Sequence, residues 1–214
     1  MREHPKAEKF FTAEEKEKLK ATIHEVESRT LGEIVAVVVD HSDHYREAEV
    51  LGGVLLGSLL SLVLTLLYFH SSIWSFVPLS FLFFFPCRLI FKRVEVLKKL
   101  FIGTRRKEEA VRLRAERAFF EKGLYKTKKN TGVLFFLSLL ERKVWVLADK
   151  GIYGKMDQET LNRFAKEVSR GIREGRACDA LSKAIQEVGV LLSRYFPITP
   201  DDTDELPDDV MTEE

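Results

Sequence analysis

Residues able to do chemistry are sparse in this chain of 214 residues, and they gather at three places. The first is Asp40-His41-Ser42-Asp43-His44, directly after a β-branched run. Carboxylates and imidazoles this close together are the donor types of a divalent-cation site, and open α/β sheets bind ligands at the carboxyl ends of their strands. The spacing matches no established metal motif, however, and Asp-x-x-Asp is not the Asp-x-Asp of aspartyl phosphotransferases. A solvated strand-to-membrane connector is the plainer reading of the segment. The second place is Ala148-Asp149-Lys150-Gly151-Ile152-Tyr153-Gly154-Lys155, where two glycines could bring backbone amides to an anion. It lacks both Gly-x-Gly-x-x-Gly and the Gly-Lys-Ser/Thr of a P-loop, so a structural turn is the plainer reading. The third is the basic stretch Lys122 to Lys129 with Arg112, Arg114 and Arg117. Nucleic acid is one conceivable partner, but bases beside an anionic leaflet contribute about 1 kcal/mol each to membrane attraction, and membrane contact is the preferred role. Asp40, Asp43 and Asp149 are therefore the candidate binding residues. No Ser-His-Asp or Cys-His pattern appears, so no catalytic residue is assigned.

The elements that must position these residues are interrupted by two apolar runs. Residues 48–69 carry one acid near their start and nothing ionisable after it, and residues 73–91 carry only Arg88. Each is long enough to cross about 30 Å of hydrocarbon as a helix. The short link His70-Ser71-Ser72 makes them a transmembrane hairpin with both ends on one side. Lys92, Arg93, Lys98, Lys99, Arg105 and Arg106 follow the second run, and the positive-inside rule makes that side cytoplasmic. Arg88 can snorkel to the same interface. The expectation is a bacterial inner-membrane protein with two spans and cytoplasmic termini. Met1 to Phe10 has no apolar core, so no cleavable signal peptide is expected there. In the first run Gly53, Gly57 and Ser61 share one helix face and allow close packing on the second run or on another copy. Pro78 and Pro86 should bend the second run. The spans hold no ionisable residue suited to an ion path, which argues against a transporter. Cys87 and Cys178 read as small buried hydrophobes in a reducing compartment.

Outside the hairpin, Thr12-Ala-Glu-Glu15 has the form of a capping box. Leu19, Ile23 and Val26 then continue at helical spacing over about 13–30. Residues 34–39 (IVAVVV) read as a strand buried on both faces. A basic amphipathic stretch over 92–103 and a helix over about 105–122 follow the hairpin. Residues 133–140 and 144–148 read as two buried strands, paired antiparallel because the link between them is too short for a crossover. Asp157 is a plausible N-cap for the next helix, glycines 171 and 175 break it, and a last helix ends before Pro197. The fold expected is an α/β/α sandwich around a small mixed sheet, interrupted by the inserted hairpin. Its parts are 1–47 (helix and strand), 48–91 (hairpin), 92–197 (second part of the domain) and 198–214 (acidic tail). From Pro197 onward there are eight acids and no base. That tail is either solvated or docked on the basic surface near residues 98–129.

Residues 131–152 (TGVLFFLSLLERKVWVLADKGI) resemble the TPM domain, a family named for a thylakoid lumen phosphatase-like protein, a photosystem II repair factor and a nematode receptor auxiliary subunit. Residues 31–39 (LGEIVAVVV) look like the opening strand of that family, and the likeness to its bacterial membrane branch covers about 10–40 and 107–197. The resemblance implies an α/β/α fold and two alternatives for function. One is an assembly or auxiliary factor; the other is a phosphatase-like activity or calcium binding. No cofactor is predicted from the residues themselves, and a divalent cation such as calcium is implied by the family alone. The preferred expectation is a membrane-anchored protein-binding or assembly module on the cytoplasmic face, without chemistry of its own. Its partners would be the lipid bilayer and another membrane or peripheral protein, with a homo-oligomer compatible and nucleic acid not expected. The alternative, a metal-dependent acid-phosphatase-like hydrolase, requires Asp40, Asp43 and Asp149 to converge at one end of the sheet.

Overall fold

The computed structural model describes residues 7–68, 73–127, 129–199, 206–207 and 209–213. The inter-run link at 70–72, Lys128, and the tail acids Asp201, Asp202, Asp204, Glu205, Asp208 and Glu214 lie outside the described residues. The chain is mixed α/β, mostly helical, with one four-stranded sheet, and it divides into two compact units. One is Met1–Ser42 with Glu108–Glu214; the other is Asp43–Lys107.

In the first unit, helix α1 (Ala13–Glu27) starts at the expected capping box: Glu15 N–H donates to Thr12 Oγ1, and Thr12 N–H donates to the Glu15 carboxylate. Strand β1 (Glu33–Val39) pairs in parallel with β2 (Gly132–Ser138), from Glu33 opposite Gly132 to Val39 opposite Ser138. All seven residues of each strand are buried. Such strands need cover on both faces. Ile34, Ala36 and Val38 join Leu19 and Ile23 of α1, Phe164 of α7 (Gln158–Arg173) and Ile185 of α8 (Ala177–Tyr195) in one core. Val35, Val37 and Val39 face a second core with Val111, Ala115 and Phe119 of α5 (Thr104–Glu121). Asp157 caps α7, accepting from Thr160 N–H at 2.8 Å, and Gly175 (φ 74°) turns the chain between α7 and α8. A positive φ of this kind costs a non-glycine residue about 1 kcal/mol or more.

Two elements differ from expectation. Strand β3 (Lys143–Ala148) pairs antiparallel with β2 as the short link required, but it alternates between buried and half-buried. It is an edge strand, next to β2, and the face carrying Lys143, Trp145 and Leu147 is only partly covered. The acidic tail contributes the fourth strand, β4 (Met211–Glu213), laid parallel on β1 with Val37 opposite Met211. Charge alone suggests a solvated tail; Val210 and Met211, placed on the two cores, supply apolar surface to bury.

In the second unit, α2 (Arg46–Tyr68) and α3 (Ile73–Arg93) pack antiparallel, followed by α4 (Glu95–Phe101). The expected small-residue face is the contact. A Cβ on Gly53 would lie 3.0 Å from Arg88 Cβ, and one on Gly57 would lie 3.1 Å from Phe84 N. Ser61 Oγ donates to Phe76 O at 2.9 Å. Both helices are long and apolar enough to cross a membrane. Leu55, Leu59, Leu66, Phe81, Leu82 and Phe85 are exposed on them.

Candidate functional site

A strand such as Val133-Leu-Phe-Phe-Leu-Ser-Leu-Leu140 has one polar residue, and a buried hydroxyl must find a partner. Ser138, 2% exposed, closes β2 beside the last residue of β1. Its Oγ donates to the Glu141 carboxylate, and it accepts from Ser42 Oγ at 2.8 Å. Ser42 N–H donates to the other Glu141 oxygen at 3.1 Å. Two segments meet here: Asp40-His41-Ser42, leaving β1, and the turn Leu139–Arg142, where Arg142 takes φ 53°. Leu140 N–H donates to Asp40 O at 2.9 Å, and the Asp40 carboxylate accepts from Ala7 N–H. The carboxyl end of the parallel pair thus holds Asp40, Ser42, Ser138 and Glu141. Ser138 and Glu141 were missed by looking for clusters along the sequence. The available signal was a lone serine in an apolar strand with an acid three residues on.

Asp149 is elsewhere. Its N–H donates to Gly132 O at 2.9 Å, next to the start of β1, whereas Asp40 follows the end of β1. With seven-residue strands rising about 3.3 Å per residue, the two carboxylates are on the order of 20 Å apart at opposite ends of the sheet. Antiparallel pairing of β3 is the reason: the C-terminal end of β3 lies at the N-terminal ends of β1 and β2. Asp149 caps the short helix α6 (Lys150–Tyr153) through Oδ1, which accepts from Lys150 N–H at 2.6 Å. Oδ2 is buried and has no hydrogen-bond partner among the described residues. The Gly151 turn is a packing device, since a Cβ there would lie 2.6 Å from Asn130 O. The convergence of Asp40 with Asp149 that the hydrolase alternative requires is not present.

Asp43 belongs to the second unit, where it and Glu47 hold Arg106; the Glu47 contact is 2.9 Å. The guanidinium also lies 5.5 Å from the centroid of the Tyr45 ring. Tyr45 is fully buried at φ 49°, a strained conformation for a bulky residue. Partial burial works to raise the Asp43 pKa, but the Arg106 hydrogen bond and charge outweigh it and leave the carboxyl below its ordinary value. Lys98 pairs with Glu49 at 2.8 Å, with both side chains nearly buried. Of the six basic residues that follow the apolar runs, Lys98 and Arg106 are therefore engaged by the chain's own acids. Lys92, Arg93 and Arg105 are exposed, and Lys99 is half-buried.

Among the described residues no group of three His, Cys, Asp or Glu side chains is arranged to hold a metal ion. The nearest approach to a charged centre on the sheet is at β4, where Glu213 lies between Arg114 and Lys122, the latter at 2.5 Å. Residues 93–191 match the family model described as the TPM domain. This chain carries a TPM domain. Among solved structures it is similar to the NMR structure of the BA42 protein from the psychrophilic bacterium Bizionia argentinensis sp. nov.. The TM-score is 0.60 at 20% identity, over 96% of this chain and 97% of that one, a likeness that speaks to the fold. No curated protein matches the chain. Ser138, Glu141 and Asp149 fall inside the matched TPM segment, while Asp40, Ser42 and Asp43 precede it. The network at the carboxyl end therefore joins residues of the TPM match to a strand outside it.

Proposed function

We propose that this is a membrane-anchored TPM-domain protein whose α/β unit binds or assembles another membrane or peripheral protein at the cytoplasmic face of a bacterial inner membrane. One observation carries the anchoring: α2 and α3 meet through Gly53, Gly57 and Ser61, while Leu55, Leu59, Leu66, Phe81, Leu82 and Phe85 are exposed. A soluble helix pair turns large apolar residues toward its contact and polar ones outward; this pair does the reverse, as helices in lipid do. The exposed Lys92 and Arg93 in the last turn of α3 favour a cytoplasmic side for both hairpin ends. Core residues on both faces of the sheet support the layered α/β/α reading. A binding role suits a carboxyl-end network whose serines and glutamate bond one another.

Two measurements test this. The full chain should stay with membranes through alkaline carbonate extraction. In a Cys87→Ala, Cys178→Ala background, Ser71→Cys should react with an impermeant maleimide added outside spheroplasts, and Lys126→Cys should not. Release by carbonate would remove the anchoring reading, and labelling of Lys126→Cys alone would remove the cytoplasmic placement. Turnover of p-nitrophenyl phosphate that is lost in Asp40→Ala would remove the binding-module reading.

A further inference from the structure

One end of the α2–α3 pair carries far more positive than negative charge. From Asp43 to Lys107 the chain has nine Lys and Arg against four Asp and Glu, and none of them lies between Val50 and Cys87. Three of the acids are engaged within the unit: Asp43 and Glu47 hold Arg106, and Glu49 holds Lys98. Arg88, Lys92 and Arg93 are exposed and pair with no acid among the described residues. Arg88 is the most constrained of the three. Its Cβ sits in the helix contact, where a Cβ on Gly53 would lie 3.0 Å from it, yet the residue is exposed. The guanidinium therefore leaves the α2–α3 seam outward. At 1.5 Å of rise per residue, Arg88 lies about 6 Å deeper along α3 than Lys92, beside the exposed Leu89 and Ile90. An unpaired guanidinium next to hydrocarbon is costly, and a partner that brings negative charge to that depth relieves it. Beyond α3, helix α4 is fixed by the Lys98–Glu49 pair and by Phe101, whose ring meets Phe91 edge-on at 5.3 Å between centroids. Held there, it leaves Leu100 77% exposed.

We propose that Arg88, Lys92 and Arg93 form a binding site for the headgroup of an anionic phospholipid, whose acyl chains lie against Leu89, Ile90 and Leu100. Charge selects this occupant. Three cations without acids match a headgroup of net negative charge, and bases beside a membrane span draw such lipids. The planar fork of arginine suits two phosphate oxygens at once. Large apolar residues exposed beside the cations fit a lipid's chains and have no use for free phosphate. Lys98 and Arg106 lie outside the site, because Glu49, Asp43 and Glu47 already neutralise them. The inference rests on the anchoring reading and gives the hairpin a preferred lipid.

The test titrates the full chain, purified in neutral detergent, with phosphatidylglycerol or phosphatidylcholine, and native mass spectrometry reads the bound lipid. The parent should bind phosphatidylglycerol more tightly than phosphatidylcholine. Arg88→Gln, Lys92→Gln and Arg93→Gln should each weaken phosphatidylglycerol by about fivefold, the ratio expected for one juxtamembrane base. Arg88→Lys keeps the charge and should keep most of the affinity. Lys92 and Arg93 are exposed, so their variants should retain the parent's resistance to SDS unfolding. Removing two exposed cations from α7, Lys166→Gln with Arg170→Gln, should leave lipid binding unchanged. Equal binding of the two lipids by the parent overturns the proposal. So does an equal loss from the α7 variant, which would mean diffuse attraction, or displacement of phosphatidylglycerol by glycerol phosphate, which has the charge without the chains. A chain released by carbonate loses the anchoring reading and this one with it; a chain retained by carbonate that binds both lipids alike loses only this one.

Discussion

Removing the Glu141 carboxylate should destabilise the α/β unit, and the size of the effect can be worked from its contacts. Ser138 is 2% exposed and Glu141 is 7% exposed, so water is a poor replacement for the bond between them. A hydrogen bond to a charged acceptor contributes about 1.5–3 kcal/mol. Glu141 accepts two from the sheet end, from Ser138 Oγ and Ser42 N–H. Ser42 is only half-buried, and its N–H can recover part of its loss from solvent. Glu141→Ala should therefore cost about 3 kcal/mol, which lowers Tm by about 6–12 °C for a chain of this length. Glu141→Gln keeps one accepting oxygen and should cost about half as much. The assay is thermal unfolding of the full chain in mild detergent, followed by far-UV circular dichroism, with Ser138→Ala and the double variant completing a cycle. A coupling of about 1–2 kcal/mol is expected between residues in direct contact. If Glu141→Ala leaves stability within about 0.5 kcal/mol of the parent, or raises it, the network is not a structural tie. A rise would instead mark residues kept for activity at a cost in stability.

Three further outcomes follow from other contacts. Gly57→Leu should loosen the α2–α3 pair by about 1–3 kcal/mol, because even a Cβ would sit 3.1 Å from Phe84 N and backbone cannot step aside; lowered resistance to SDS unfolding of the full chain reads this, and Leu59→Ala on the exposed face should have little effect. Glu49→Ala should be more damaging than the pair Glu49→Ala with Lys98→Met, because a nearly buried ammonium without its partner costs about 3–5 kcal/mol; equal Tm losses in the single and double variants would refute it. The Asp43 carboxyl lies below its ordinary pKa because Arg106 outweighs partial burial, so its stabilising contribution is present above about pH 4 and is lost as pH falls through the lowered folded value. Acid titration of parent and Arg106→Gln, followed by tryptophan fluorescence, should show the parent losing stability more steeply in that window, and parallel curves would sink the attribution.

Much of the fold was legible along the chain because its signals are local. Thr12 and Glu15 announce a helix start by side-chain chemistry, and Asp157 does the same for α7. Seven buried residues in β1 and in β2 report cover on both faces. The link between β2 and β3 leaves only antiparallel pairing. The spacing of Gly53, Gly57 and Ser61 marked the contact face of the apolar pair, because helical geometry puts every fourth residue on one side.

Other features were decided by which strands lie side by side, and that is a long-range property. Parallel β1–β2 with antiparallel β3 sends Asp149 to the end of the sheet opposite Asp40, although the two residues carry the same chemistry. Ser42 and Ser138 meet although 96 positions separate them, because Ser138 closes β2 and Ser42 leaves the adjacent end of parallel β1. By charge the tail acids are either solvated or docked on the basic surface near residues 98–129, and Glu213 docks there, on Arg114 and Lys122, once Val210 and Met211 find apolar surface at the β1 edge. Amino-acid type and local spacing determined the helix starts, the buried strands and two helices apolar enough for a membrane. Strand order in space decided which polar groups are neighbours, because pairing is fixed by packing between segments remote in sequence.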